Sequence, residues 1–206
     1  MPSITRRQSR NPRPRTSAEA AVLAATQRLL ADGANFTEIG VQQISTAACV
    51  SRSTFYSHFR DKTDLLMRLA APMLATAFTI TEGWQPADGV ERLADTFLRV
   101  VGVYREHAAL LRAIVEVAAY DETVRSFWGQ GLAQFTDRTL RLLREDQQAG
   151  RAPADVDLVS AVRVIVIGGE RAIFDHTVAA DPAEDAAFAR ELARIWWYGV
   201  YRRPAD

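Results

Sequence analysis

Cysteine, clustered metal ligands and membrane-length apolar runs are all scarce in this 206-residue sequence, and each scarcity excludes a class of protein. One cysteine, Cys49, cannot form an intramolecular disulfide, which fits a reducing compartment and makes a cytoplasmic location the expectation. The three histidines, His58, His107 and His176, lie far apart and offer no zinc-ligand spacing. The most apolar run, Val162 to Phe174, is interrupted by Arg163, Glu170 and Arg171, and falls short of the roughly 18 apolar residues that a membrane span needs. The residues after Met1 are rich in arginine and proline instead of apolar, so neither a secretory leader nor a span is expected. No glycine loop for phosphates, no inward Glu-x-x-His pair for a di-iron site and no nucleophile-base pair stands out. No catalytic residue, metal or cofactor is therefore expected.

What is present is a hidden charge polarity. The 25 basic and 25 acidic residues cancel over the whole chain. Residues 1–62 nevertheless hold nine basic residues and four acidic ones, a net of +5, and the remainder carries −5. A basic head on an acidic body is the pattern of an anion-binding module joined to a partner domain.

Strand patterns are nearly absent, and apolar residues recur at helical spacing. Thr16-Ser17-Ala18-Glu19 reads as a capping box that opens a first helix with Val22, Leu23, Leu29 and Leu30, stopped at Gly33. Two short helical patterns follow, Val41–Ala48 and Arg52–Phe59, joined by Cys49-Val50-Ser51. Long amphipathic segments then run from Asp64 to about Ile80, Val90 to Tyr104, Ala108 to Tyr120, Glu122 to Gln148, Asp155 to Ala179 and Ala183 to Tyr201. The expectation is an all-α protein of about nine helices: an Arg-rich arm (1–15), a three-helix head (16–62) and a helical body (63–206).

Two short helices joined by a tight turn in a basic segment make a helix-turn-helix, whose second helix enters a DNA major groove. Ser51 can cap that helix. Phe55 and Phe59 share one face and should pack inward on Ile44, Ala48 and Val50, which leaves Ser53 and Ser57 outward with Thr54 and Tyr56 on the flanks. The stretch from Phe36 to Leu65, with Val41-Gln42-Gln43-Ile44, Ala48-Cys49-Val50-Ser51, Thr54-Phe55-Tyr56-Ser57-His58-Phe59 and Lys62, resembles the DNA-binding region of the TetR family of transcriptional repressors. The resemblance implies that Tyr56 and Lys62 contact phosphates, that Thr46 anchors the first helix of the motif, and that Arg52, Ser53, Thr54, Ser57 and His58 lie at or near the bases. By its angular position His58 could equally brace the helix from inside. Two departures stand out. Cys49 replaces the usual turn glycine, so a residue with a Cβ must adopt positive φ at a cost of about 1 kcal/mol. Gly40 replaces the usual Ser or Thr cap, a loss of a few tenths of a kcal/mol by rough estimate. The arm, with five arginines and three prolines before Thr16, reads either as a solvated tail or as an arm that follows phosphates or the minor groove.

The body resembles the branch of that family typified by the ethionamide-resistance repressor, through Phe127-Trp128, Glu170-Arg171-Ala172-Ile173-Phe174, Arg194-Ile195-Trp196 and Gly199-Val200-Tyr201. That resemblance implies an aromatic tunnel for a lipophilic ligand lined by Phe97, Trp128, Leu132, Phe135, Val166, Gly169, Phe174 and Trp196, with Val166 and Gly169 in place of asparagines. It also implies a dimer seam on the last two helices with Ala161, Val162, Ile165, Phe188, Leu192 and Ile195. Read from the residues alone, aromatics at helical spacing also suit an ordinary core; Gly168-Gly169 inside a helix costs about 1 kcal/mol per glycine and leaves room for either a pocket or a close helix approach. The expected function is a homodimeric, ligand-responsive regulator that binds double-stranded operator DNA, most simply a repressor released by a small lipophilic effector. The alternative is a helical-bundle carrier or enzyme with a vestigial DNA-binding head.

Overall fold

The computed structural model describes residues 15–201, with side chains from residue 18 onward. The Arg-rich arm and the Thr16 side chain of the expected capping box lie outside the described residues. Among those described there are nine α-helices, two single 3-10 turns and no strand, an all-α fold. The chain divides into two units between Leu65 and Leu66.

In the first unit α1 (Arg15–Ala31), α2 (Val41–Ala47) and α3 (Arg52–His58) pack pairwise on one another. α1 stops where Gly33 takes φ 88° and its amide, with that of Ala34, bonds back to the carbonyls of Leu30 and Leu29, the left-handed ending that glycine permits. Val22, Ala25, Phe36, Ile39, Ile44, Phe55, Phe59 and Leu65 form the buried interior.

The second unit takes most of α4 (Lys62–Glu82) and then α5 (Gly89–Glu106), α6 (Ala108–Ala118), α7 (Glu122–Gln148), α8 (Leu158–Ala179) and α9 (Asp185–Tyr201). α5 packs chiefly on α9, and α7 on α8. α4, not the Val162–Phe174 run, is the helix long and apolar enough by composition to cross a membrane. Its Leu66, Leu69, Ala70, Met73, Leu74, Ala77 and Ile80 are buried at three-to-four-residue spacing while Pro72 and Thr76 face out, so the apolar stripe is a core stripe.

Helix starts follow their caps. α8 begins at Leu158 and not at Asp155, because the Asp157 carboxylate accepts from the amides of Val159 and Ser160. α9 begins at Asp185 and not at Ala183, because Asp181 caps a separate 3-10 turn over Pro182–Glu184. The body core gathers Trp84, Leu93, Leu143, Val162, Trp196 and Tyr201, with Trp84 edge-on to Trp196 at 5.4 Å. Two polar ties bind its helices. Asp146 accepts from the Tyr201 hydroxyl at 2.8 Å and from Arg151 Nε at 2.9 Å. Asp185 takes both Arg105 Nε, at 2.9 Å, and Arg105 Nη2, and its Oδ1 lies 2.9 Å from His176 Nε2. The His176 ring also stacks flat on Phe188 at 4.0 Å.

Candidate functional site

The turn between α2 and α3 has the geometry that the sequence demanded. Cys49 adopts φ 54° and is the positive-φ residue other than glycine among the described residues; its amide bonds to the Thr46 carbonyl and the Val50 amide to the Ser45 carbonyl. Gly40 caps α2 with extended backbone and no side-chain bond. Ser51 caps α3: its Oγ accepts from the Thr54 amide at 3.0 Å and lies 2.8 Å from the hydroxyls of both Ser53 and Thr54. Phe55 and Phe59 are fully buried with rings 5.3 Å apart.

These anchors turn the opposite face outward. Ser51, Arg52, Ser53, Tyr56 and Ser57 are exposed, with Thr54 and His58 intermediate. Tyr56 keeps half of its surface in solvent while its ring is held edge-on by Phe55 at 5.3 Å. Ser57 Oγ donates to the Thr54 carbonyl at 2.7 Å. Thr46 is exposed on α2, where Gln42 Nε2 reaches its hydroxyl at 3.4 Å. An exposed surface of hydroxyls, a phenol and a guanidinium on a short helix suits phosphate oxygens and base edges.

Lys62 has a task that the sequence reading did not foresee. Its Nζ donates to the carbonyls of Phe36, Thr37 and Ile39 at 2.8, 3.2 and 2.6 Å and sits 4.9 Å from the centre of the Phe36 ring. It gathers the α1–α2 connection onto the start of α4, and a phosphate contact would require it to give up one of these bonds. Its identity was a usable signal: Lys62 is the only lysine among 25 basic residues. A compact ammonium with three rotatable donors serves three converging carbonyls, which a planar guanidinium does not.

In the body, a cavity of about 100 Å³ is lined by residues of α4, α5, α7, α8 and α9. Phe97, Leu132, Phe135, Val166, Gly169 and Trp196 line it as expected. Trp128 and Phe174 are not among its lining residues. Ile173 takes the inward position, and Phe174, one residue and about 100° onward on the helix, is buried elsewhere with the Arg171 guanidinium over its ring. The Trp128 side chain lies close to Glu170 and favours its charged form. The two glycines separate in role: a Cβ on Gly169 would stand 4.0 Å from Leu192 beside the cavity, and Gly168 is exposed with open space above it.

The cavity also holds polar groups that periodicity did not single out. Glu170 faces it from α8, and burial pushes its carboxyl up to about 7. Tyr104 lines it from α5, and burial followed by the Glu170 charge pushes its phenol above the usual range. Arg138 lines it from α7 and donates to the carbonyls of Glu82 and Trp84 at 2.9 and 2.7 Å; burial lowers its pKa.

The six expected seam residues differ in burial: Val162 is wholly buried, Ala161, Ile165, Phe188 and Leu192 are half-buried, and Ile195 is exposed, at 61%. Ala161 and Ile165 pack on the same core as Val162, Leu192 lines the cavity, and Phe188 stacks on His176. Other residues that face outward on these helices are Val164 (70% exposed), Ile167 and Gly168 on α8 and Tyr198 on α9.

Comparison with known proteins places both units. The family of bacterial regulatory proteins designated tetR matches residues 22–69. The C-terminal domain family of the transcriptional regulator EthR matches residues 93–202, more than half of the chain. The HTH-type transcriptional regulator EthR of Mycolicibacterium smegmatis is 29% identical over 214 residues, covering 96% of this chain and 95% of that one. Among solved structures, Salmonella enterica GusR has a TM-score of 0.73 at 19% identity, covering 96% and 100% of the two chains. The transcriptional regulator FadR of Bacillus subtilis, in complex with stearoyl-CoA, has a TM-score of 0.68 at 17% identity and coverages of 87% and 98%.

Proposed function

The chain belongs to the TetR family of bacterial transcriptional regulators, with a C-terminal domain of the EthR type, and from that membership we propose that it is a ligand-responsive repressor. The observation that carries the reading is the pairing, in one chain, of an intact reading helix with a largely apolar cavity. α3 presents Ser53, Ser57, Tyr56 and Arg52 to the groove, with the hydroxyl cluster at Ser51 and Thr54 at its N-terminus and His58 at its far end. Thr46 steadies α2 against the backbone. Tyr56 is the phosphate contact, and Lys62 holds the α1–α2 connection onto the start of α4.

One head reads a half-site, so a working repressor needs two heads spaced to match a DNA repeat of about 34 Å or a multiple. We place the homodimer seam on the exposed stripe of Val164, Ile167, Gly168, Ile195 and Tyr198, with Gly168 permitting close approach of two helices. A lipophilic effector in the cavity favours the state whose head spacing does not fit the operator, and shifts the balance only by its difference in affinity for the two states. That FadR, with this fold, is in complex with stearoyl-CoA supports a lipophilic effector. These roles describe a cytoplasmic regulator and use no catalytic group.

The test is a mobility shift with DNA from upstream of its own gene. Wild type binds with an affinity that falls steeply with salt, as phosphate contacts require, and Tyr56→Ala weakens binding by about tenfold or more. Failure of wild type to bind any upstream DNA, with Tyr56→Ala no different, would overturn the repressor reading.

A further inference from the structure

The wall of the body cavity is largely apolar, built of Phe97, Phe135, Trp196 and aliphatic side chains, which makes the Glu170 carboxyl conspicuous. The Trp128 side chain lies close to Glu170 and favours its charged form, and the Tyr104 phenol is near it. The cation next to it in sequence, Arg171, offsets that burial only in part: it pairs with Asp175 on the outer side of α8, Nη2 to Oδ1 at 3.0 Å, and lies over the Phe174 ring. The other cation of the cavity, Arg138, stands ten residues along α7 from Trp128, about 15 Å at the rise of an α-helix. It is bonded to the carbonyls of Glu82 and Trp84. The cavity is thus a largely apolar space whose charged lining groups are one carboxyl, Glu170, and one guanidinium, Arg138. A carboxyl desolvated in such a wall is unfavourable unless its charge is matched.

We propose that the match comes from the ligand: the cavity takes a lipophile bearing a protonated amine, with its nitrogen on Glu170 beside Tyr104 and its hydrocarbon between Phe97, Phe135 and Trp196. This rests on the reading of the cavity as the effector site and names the chemical class of the effector. Charge also sets the orientation, since Arg138 repels an ammonium. Aromatic faces near the amine add attraction.

Binding an ammonium favours the ionised carboxyl, so amine affinity rises as pH rises through about 7, the range to which burial brings Glu170. The groups that face Glu170 are Tyr104 from α5, Trp128 and more distantly Arg138 from α7, and Arg171 and Asp175 from its own helix. The α4 and α9 walls contribute Ala77, Thr81, Leu192 and Trp196, none titratable. Tyr104 stays neutral and Arg138 stays charged through this window, which leaves Glu170 as the group that switches.

The full-length protein is titrated with n-octylamine, n-octanol and n-octanoate below their micellar concentrations, with tryptophan fluorescence as the readout. At about pH 8 octylamine binds about tenfold tighter than octanol, and at about pH 6 most of that margin is gone. Glu170→Gln abolishes the margin at both pH values. The wild-type pH series gives the same information without a variant, so a failure of Glu170→Gln to fold leaves the test intact. Tightest binding of octanoate, equal binding of amine and alcohol at the higher pH, or a preference that survives Glu170→Gln would overturn the proposal. In those cases octanol that binds and releases DNA leaves the repressor reading standing, whereas no binding of any of the three overturns the effector cavity itself.

Discussion

In the head, the outward surface is set by bonds between close neighbours: Ser51 to Ser53 and Thr54, Ser57 to Thr54, Cys49 to Thr46. In the body, the cavity wall draws on residues from Ala77 to Trp196 and on five helices. One working surface is convex and locally determined; the other is concave and exists only when distant segments pack. The comparison teaches where to expect tolerance. A local surface survives substitution of its outward side chains, because its anchors point the other way, while a cavity changes whenever any wall residue changes.

The exception in the head is Lys62, whose bonds reach 23 to 26 residues back. If the head were wholly local, Lys62→Met would be mild. The expected result is the largest destabilisation of this set, about 3 kcal/mol for three charge-assisted bonds, read as a lowered unfolding midpoint of the head. Lys62→Arg does not restore it, since the planar fork cannot serve three converging carbonyls.

The body has its own long-range tie in Arg105 and Asp185, both mostly buried. The Arg105 hydrogen bonds, with a smaller share from His176, hold the Asp185 carboxyl below its usual range. A depressed carboxyl stabilises the fold above its unfolded pKa of about 4, and that contribution is lost as pH falls through the lower folded value. Asp185→Asn therefore costs about 2 kcal/mol at neutral pH and flattens the acid limb of stability, as measured by denaturation between neutral pH and about pH 3.

Glu170 gives the opposite sign within the same unit. Its carboxyl is raised to about 7, so the folded state prefers the protonated form and wild type loses stability as pH rises from the ordinary carboxylate range through 7. Without ligand, Glu170→Gln is stabilising by about 2 kcal/mol above neutral, less than the full shift implies because the side chain keeps some water contact, and close to neutral below about pH 4. A thermal melt at both pH values checks it. The smallest effect belongs to the turn: Cys49→Gly relieves the positive φ and stabilises the head by about 1 kcal/mol.

The same contrast explains what was legible in advance. The helix-turn-helix could be read because each of its determinants is local: a serine cap, two phenylalanines four apart, a glycine-like turn at Cys49. Six of the eight expected cavity residues line the cavity, but phase on a long helix decided the rest. Phe174 yields to Ile173, and Val162 turns wholly into the core that was expected to leave it for a partner. Glu170 stood in view within Glu170-Arg171-Ala172-Ile173-Phe174, yet nothing in a one-dimensional pattern says that a glutamate beside an arginine faces inward while the arginine pairs with Asp175 outside. Lys62 was read for its charge, and its three carbonyl partners arise only when residues 36 to 39 fold back against it.

The central claim is that the state of the body cavity controls the head's grip on DNA, and Gly169→Trp tests it without needing the natural effector. The Gly169 Cβ position lies beside the cavity, 4.0 Å from Leu192, so an indole there acts as a built-in ligand. In a mobility shift on DNA from upstream of its own gene, with the fold verified by circular dichroism, the account predicts that Gly169→Trp loses affinity by about tenfold or more while the salt slope of its residual binding stays that of wild type. A folded Gly169→Trp that binds the operator as tightly as wild type would contradict it.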